Sequence, residues 1–299
     1  MQAAEHQRGI VIRTNVVAWF AVVVFAYYYK ALLCGFLGHT LGLDFICFTW
    51  IAGISTNHWI EIVVYCPLLW FALHQVNADV FGHLPADRRS FLWNRRLHLV
   101  GELAIALVIY GTGIHIANVI EIYARERSGD ADGDLYNLIY LLDEGISHYV
   151  QFVPLFFVIG WFIINDRPGR TAHPLVAVFF GVGHGVERAV GIIEGAKWFL
   201  GPPTVVWIAF AAWLRWRKHG REAANEFFFR YAVAFSISLP VSQAAYFLRF
   251  NSFDQPSGLT DNHLAQIAIG AILLTGLGTA LLASADRWWR GRRASLQAS

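Results

Sequence analysis

Residues 135–164 read LYNLIYLLDEGISHYVQFVPLFFVIGWFII, a run of 30 residues whose only formal charges are Asp143 and Glu144. Crossing about 30 Å of hydrocarbon takes roughly 20 predominantly apolar residues, so the run predicts a transmembrane helix. Leu138 to Leu142 precede the acidic pair, which places it within the helix and not at its cap. An ionisable group at membrane depth is costly unless it is paired or faces a cavity, and so marks function. His148 and Gln151 follow Glu144 at one-turn spacing, which brings all three to one helix face.

Working outward, comparable apolar runs occupy 15–37, 58–77, 97–124, 174–200, 203–215, 227–249 and 263–284, the sixth span of the set (203–215) being short. With 135–164 they make about eight spans. Residues 39–57 are apolar but too short after Gly42, and read as an interfacial or re-entrant segment. Gly and Pro mark the joints at Pro85, Pro168-Gly169, Gly201-Pro202-Pro203 and Pro256-Ser257-Gly258. No repeat or long linker divides the chain, so 1–299 reads as a single all-α integral membrane domain, a polytopic helical bundle. The first run has no small-residue cleavage site after it, which predicts a retained span and not a removed signal peptide.

Composition agrees. Only 15% of residues are charged and 56% are hydrophobic, whereas a soluble domain carries nearer a quarter charged residues to wet its surface. A net charge of +2 excludes the strongly basic surface that a nucleic-acid partner demands. Cys34, Cys47 and Cys66 lie in or beside apolar stretches with no Cys-x-x-Cys, which argues against a thiolate metal site or a disulfide framework.

Orientation follows from Lys and Arg. With eight spans and both termini in the cytoplasm, 17 of the 23 basic residues fall on the cytoplasmic side, and the other six are Lys30, Arg125, Arg127, Arg188, Lys197 and Arg249. The expected location is a bacterial inner (cytoplasmic) membrane.

The polar residues of several spans then fall at one depth. Span two opens with His58 and Glu61, span three ends with His115 and Asn118, and span four carries Asp143, Glu144, His148 and Gln151 in its first half. Span five carries His184, Glu187, Arg188 and Glu194 in its second half. All lie on the extracytoplasmic side of the predicted topology, so one polar chamber is expected in the outer half of the bilayer. The bland alternatives are interfacial placement for His58 and Glu61, interhelical hydrogen bonding for His115 with Asn118, and an intramembrane ion pair for Glu187 with Arg188.

Imidazole and carboxylate together are the usual ligand set for Zn, Mn or non-haem Fe. His115, His148, His184, Glu187, His58, Glu61 and Glu194 are the candidate ligands for one or two divalent ions. Glu144 is a candidate further ligand or general base, Asp143, Asn118 and Gln151 are candidates for orienting the imidazoles, with Asp143 counted among the catalytic residues, and Arg188 is a candidate for holding an anionic headgroup or polarising an oxygen. The run Leu141-Leu142-Asp143-Glu144, with His115 on the preceding span, resembles the metal-site helices of the alkaline ceramidase and progestin-receptor-like membrane hydrolases over about two spans. That resemblance implies a zinc held by three histidines beside a serine and an aspartate. The late His-x-x-x-His pair of those proteins is absent, since the last span offers only His263, and the span count and the side of the site also differ.

The leading expectation is a metal-dependent membrane enzyme that hydrolyses or oxidises a lipid or isoprenoid arriving sideways from the bilayer. A metal-free acid–base isomerase or cyclase of a terpenoid, a proton or metal-ion transporter and a b-type cytochrome are the alternatives. The sequence leaves the oligomeric state open.

Overall fold

The computed structural model describes residues 16–30, 50–51, 54–81, 88–117, 119–120, 133–170, 172–195 and 197–253, with the side chains of 26–30, 50, 55, 57, 88–95 and 194 outside that description. The described chain is helical apart from a two-residue antiparallel ladder, β1 (Trp50–Ile51) with β2 (Ile54–Ser55). Helix α1 spans Val16–Lys30. Helix α2 (Thr56–Ile60) passes through a π-helical turn, Glu61–Tyr65, into α3 (Cys66–Phe81). Helix α4 spans Arg88–Ile114, and α5 (Asp134–Tyr140) passes through a second π-helical turn, Leu141–Ser147, into α6 (His148–Asn165). Helices α7 (Pro174–Glu194), α8 (Gly201–His219) and α9 (Phe227–Phe250) complete it.

Five segments are long and apolar enough to cross a membrane: His58–Phe81, Arg96–Ile114, Asp134–Asn165, Pro174–Ile193 and Phe227–Phe250. They correspond to the sequence runs 58–77, 97–124, 135–164, 174–200 and 227–249. Helix α1 contributes a shorter apolar stretch, Val16–Phe25, and α8 covers the sixth run. The seventh-to-eighth connection, the run 263–284 and most of 39–57 lie outside the described residues. Asp143 and Glu144 stand within a continuous helical segment, not at its cap.

The surface is compatible with that of an integral membrane protein. Leu103, Val206, Ile237, Val241 and Leu248 are all more than half exposed, an apolar outer face that water would penalise and lipid does not. Inside, the closest packing joins α7 to α9. Ala177, Gly181, Gly185 and Ala189 recur every fourth residue of α7 and form one stripe of small residues. A Cβ on Gly181 would stand 2.6 Å from Ala234 Cβ, and one on Gly185 would stand 3.0 Å from the Leu239 nitrogen. Without side chains between them, the two backbones meet directly. Ser238 Oγ donates to the Gly181 carbonyl at 3.1 Å across that seam. Helix α8 packs on α6 through Trp207, whose Nε1 donates to the Phe156 carbonyl at 3.0 Å while its ring stacks on Phe157.

One end of the bundle is closed by ions. Arg170, in the turn after α6, donates through Nε to Asp166 Oδ1 at 2.6 Å and through Nη2 to Asp79 at the end of α3. Arg215 of α8 donates through Nε to Glu226 Oε2 at 2.5 Å, and to the Asp166 and Arg167 carbonyls. Glu226 also accepts from the Gly169 nitrogen at 3.0 Å. Asp166, Arg170, Arg215 and Glu226 are buried. Two of the arginines that the charge rule counted as loop residues are therefore internal struts.

Candidate functional site

The opposite end of the bundle holds the polar residues. Helices α4 and α6 touch at Gly111, where a Cβ would stand 2.7 Å from the Val150 carbonyl carbon. Beside that contact Gln151 Nε2 donates to Thr112 Oγ1 at 3.0 Å, and Thr112 in turn donates to the Val108 carbonyl at 2.8 Å. Backbone contact and polar pair together fix the register of the two helices.

One turn further along α4, His115 reaches the π-helical turn. Its Nδ1 lies 2.5 Å from Oδ1 of Asp143, a residue with no exposed surface. A π-helical turn carries one residue more than an α turn and is frequent at functional sites; here that turn carries Asp143 and Glu144. Ser147 Oγ donates to the Asp143 carbonyl, satisfying a group that the altered helix geometry loosens.

His148 completes the group. Its Nδ1 lies 3.1 Å from the Glu144 carbonyl and 3.6 Å from Glu144 Oε2, and its ring centroid is 5.3 Å from that of His115. A carbonyl only accepts, so Nδ1 of His148 carries the hydrogen; an ionised Asp143 imposes the same tautomer on His115. Nε2 then bears the lone pair in both rings. Gly195, at the end of α7, lies against His148: a Cβ there would stand 2.9 Å from Cδ2 and Nε2 of the imidazole. An added Cβ would fit only if the imidazole or the end of α7 shifted.

A second group lies deeper. His184 Nδ1 is 2.7 Å from Tyr231 Oη, and its buried Nε2 has no hydrogen-bond partner among the described residues, Glu187 Oε2 standing 3.8 Å away. Glu187 accepts from Nε and Nη2 of Arg188, so the ion pair suggested by the sequence is present. Tyr65, on the other π-helical turn, lies in the field of Glu61, Glu187 and Arg188. Phe152 touches both groups, with its ring 5.4 Å from that of His148 and 5.6 Å from the Arg188 guanidinium.

The sequence-predicted residues are thus distributed over two centres. His115, Asp143, Glu144 and His148 come together, as do His184, Glu187 and Arg188. His58 and Glu61 are buried at the start of the second span. Asn118 and the Glu194 side chain lie outside the described residues. Among the described residues no group of three or more His, Cys, Asp or Glu side chains is placed to hold a metal ion.

Sequence reasoning missed Tyr231, Tyr65 and Thr112, which carry no local signal. It also passed over a third polar group. Glu102 accepts from Asn77 Nδ2 at 2.7 Å, and its Oε1 lies 3.0 Å from His74 Nδ1 and 3.6 Å from His98 Nε2. The regular spacing of His98 and Glu102, one turn apart, was the available clue. Compared with known proteins, the chain matches no family model, no curated protein and no solved structure.

Proposed function

We propose that the chain is an integral membrane enzyme acting on a lipid or isoprenoid, with proton transfer carried out at the His115–Asp143 couple. The observation that carries this reading is the 2.5 Å contact between a fully buried carboxylate and an imidazole, with a second imidazole alongside. A carboxylate that holds Nδ1 fixes the ring and stabilises its protonated form, so that Nε2 serves as general base and then as general acid. In this reading His148, held by the Glu144 carbonyl, exchanges a second proton with the substrate. Isomerisation, cyclisation and hydrolysis of an apolar substrate can all use such a pairing of donor and acceptor. In this reading the enzyme crosses a bacterial cytoplasmic membrane eight times with both termini inside, as the bias of its basic residues supports.

A metal-dependent reaction is the second reading, and one observation favours it. Both imidazoles have Nδ1 bonded to a protein oxygen, the arrangement by which protein groups orient metal-binding histidines. His115 and His148 would supply two ligands for Zn, Fe or Mn. Further ligands would come from Glu144 or from Glu194. A bound divalent ion would polarise an oxygen or activate water.

The test is turnover of lipid and isoprenoid extracts by the protein in nanodiscs, followed by mass spectrometry, with elemental analysis of the same sample. His115→Gln and Asp143→Asn are expected to lower turnover by about 10²–10⁴-fold, the usual contribution of general acid–base catalysis. Unchanged turnover in both variants would overturn the assignment. Stoichiometric metal that disappears with His148→Ala selects the second reading.

A further inference from the structure

The end of the bundle closed by the ionic lattice holds more cations than the lattice uses. Arg170 and Arg215 are neutralised there by Asp79, Asp166 and Glu226. Arg230 donates to the Ala224 carbonyl and to Asn225 Oδ1. Arg167, Arg217, Lys218 and Arg221 are exposed, and none of the four has a carboxylate partner among the described residues. The 3-10 turn Gly220–Asn225, which follows α8, brings a single exposed acid, Glu222.

The lattice joins the two elements that carry these cations. Arg167 lies in the turn after α6, and its carbonyl accepts from Arg215 Nη2 at 3.0 Å. Arg217 and Lys218 follow Arg215 in the last turn of α8, and Arg221 lies in the 3-10 turn beyond it. Buried ion pairs thus fix the backbone beneath the patch while the charges on it stay free. Compensation of the α8 dipole accounts for Arg217 and Lys218. It does not account for Arg167 and Arg221, which lie outside that helix.

Aromatic side chains set the depth of the patch. Phe210, Trp213 and Trp216 are exposed on the turns of α8 just before the cations. In a membrane-spanning bundle such a belt lies at headgroup level. Lys218 stands five residues beyond Trp213, about 7.5 Å along the axis at 1.5 Å per residue. The Arg217 guanidinium lies over the Trp213 ring, 5.4 Å from its centroid, and so remains beside the belt.

We propose that Arg167, Arg217, Lys218 and Arg221 form a binding site for the phosphate of an anionic bilayer lipid, with Trp213 and Trp216 against the start of its acyl chains. The site stands at the opposite end of the bundle from the His115–Asp143 couple and does not depend on what that couple does. Charge selects the head. A zwitterionic lipid brings its own ammonium to the patch and loses the attraction, whereas phosphatidylglycerol brings a net negative charge. An acidic protein segment would meet the same cations but would leave the aromatic belt unused.

The test is native mass spectrometry of the full chain released from detergent micelles doped with equal amounts of phosphatidylglycerol and phosphatidylcholine. The parent is expected to retain phosphatidylglycerol in preference. Arg217→Gln, Lys218→Gln and Arg221→Gln combined should lower that preference at least about tenfold, because each basic residue near an anionic headgroup adds to the attraction. Arg249→Gln removes an exposed cation at the far end of α9, beside Phe250, and should leave the preference unchanged. Should the triple variant fold poorly, Lys218→Gln with Arg221→Gln spares both Trp213 and the lattice, and should still lower the preference several-fold. No preference in the parent, or an equal fall in Arg249→Gln, would overturn the proposal. Inorganic phosphate that abolishes the preference where chloride of equal ionic strength does not would overturn the lipid assignment and give the cations to a soluble phosphate.

Discussion

At the scale of single residues, the site depends on atoms that are absent as much as on those present. Gly195 leaves room for the His148 ring, whose nearest atoms would lie 2.9 Å from an added Cβ. Gly195→Ala therefore forces the imidazole or the end of α7 to move, and is expected to cost about 1–3 kcal/mol as an overpacking substitution. Thermal melting in detergent reads the loss, and turnover should fall with it because His148 is displaced. An unchanged melting temperature would show that the ring relaxes into other space. Asp143 and Glu144 were legible in the sequence because acids within an apolar run of 30 residues have no ordinary reason to be there. His184 was legible for the same reason, but its partner Tyr231 was not. A tyrosine among Phe227, Phe228 and Phe235 reads as core until the α7–α9 contact brings its hydroxyl to the imidazole.

At the scale of helices, the runs of apolar residues gave three of the five long apolar segments to within four residues and overran the other two, 97–124 passing Ile114 by ten residues and 174–200 passing Ile193 by seven. What the runs could not give was which helices touch. Periodicity is weak in a helix apolar on every side, and the faces are then chosen by small residues. The four-residue repeat of Ala177, Gly181, Gly185 and Ala189 was that signal, and it places α7 against α9. Gly185→Leu is expected to destabilise by at least about 1–3 kcal/mol, because its new atoms meet the Leu239 backbone and Ser238. Gly113→Leu, on a helix of similar character, should fall within about 0.5 kcal/mol of the parent, since its side chain enters open space. Equal effects in denaturant titrations would contradict the packing described for the two glycines.

At the scale of the whole molecule, the chain divides its polar groups by task. One end carries the His115–Asp143 pair, and the other carries a buried ionic lattice that ties α3, α8, α9 and the turn after α6 together. Arg215→Ala strands Glu226 and two carbonyls, and removing one partner of a buried pair costs about 3–5 kcal/mol. Melting curves of the variant should show that loss even though the site lies at the opposite end. Burial pushes the Asp166 carboxyl up from 3.8 to about 6 against the opposing pull of Arg170, and its Oδ2 has no hydrogen-bond partner among the described residues. A folded-state pKa above the unfolded value favours the fold most at low pH. That advantage declines as pH rises from about 4 and is gone above about 6. The stability of the parent relative to Asp166→Asn is therefore expected to decline across that interval; a flat difference between their melting profiles would disprove it. The charge rule read Arg170 and Arg215 as loop cations because the pattern of basic residues reports sidedness, whereas pairing depends on helices that are distant in sequence.

The two π-helical turns, Glu61–Tyr65 and Leu141–Ser147, have a consequence for how chains of this kind are to be compared. Each holds one residue beyond the regular helical count, and in a helix of 3.6 residues per turn one residue is worth about 100° of rotation. A chain lacking that residue would still hide its apolar faces and still cross the bilayer, yet its carboxylate would turn away from His115. Spacing between the flanking helices, rather than the identity of any aligned letter, is thus the mark by which another sequence could be recognised as sharing this chemistry.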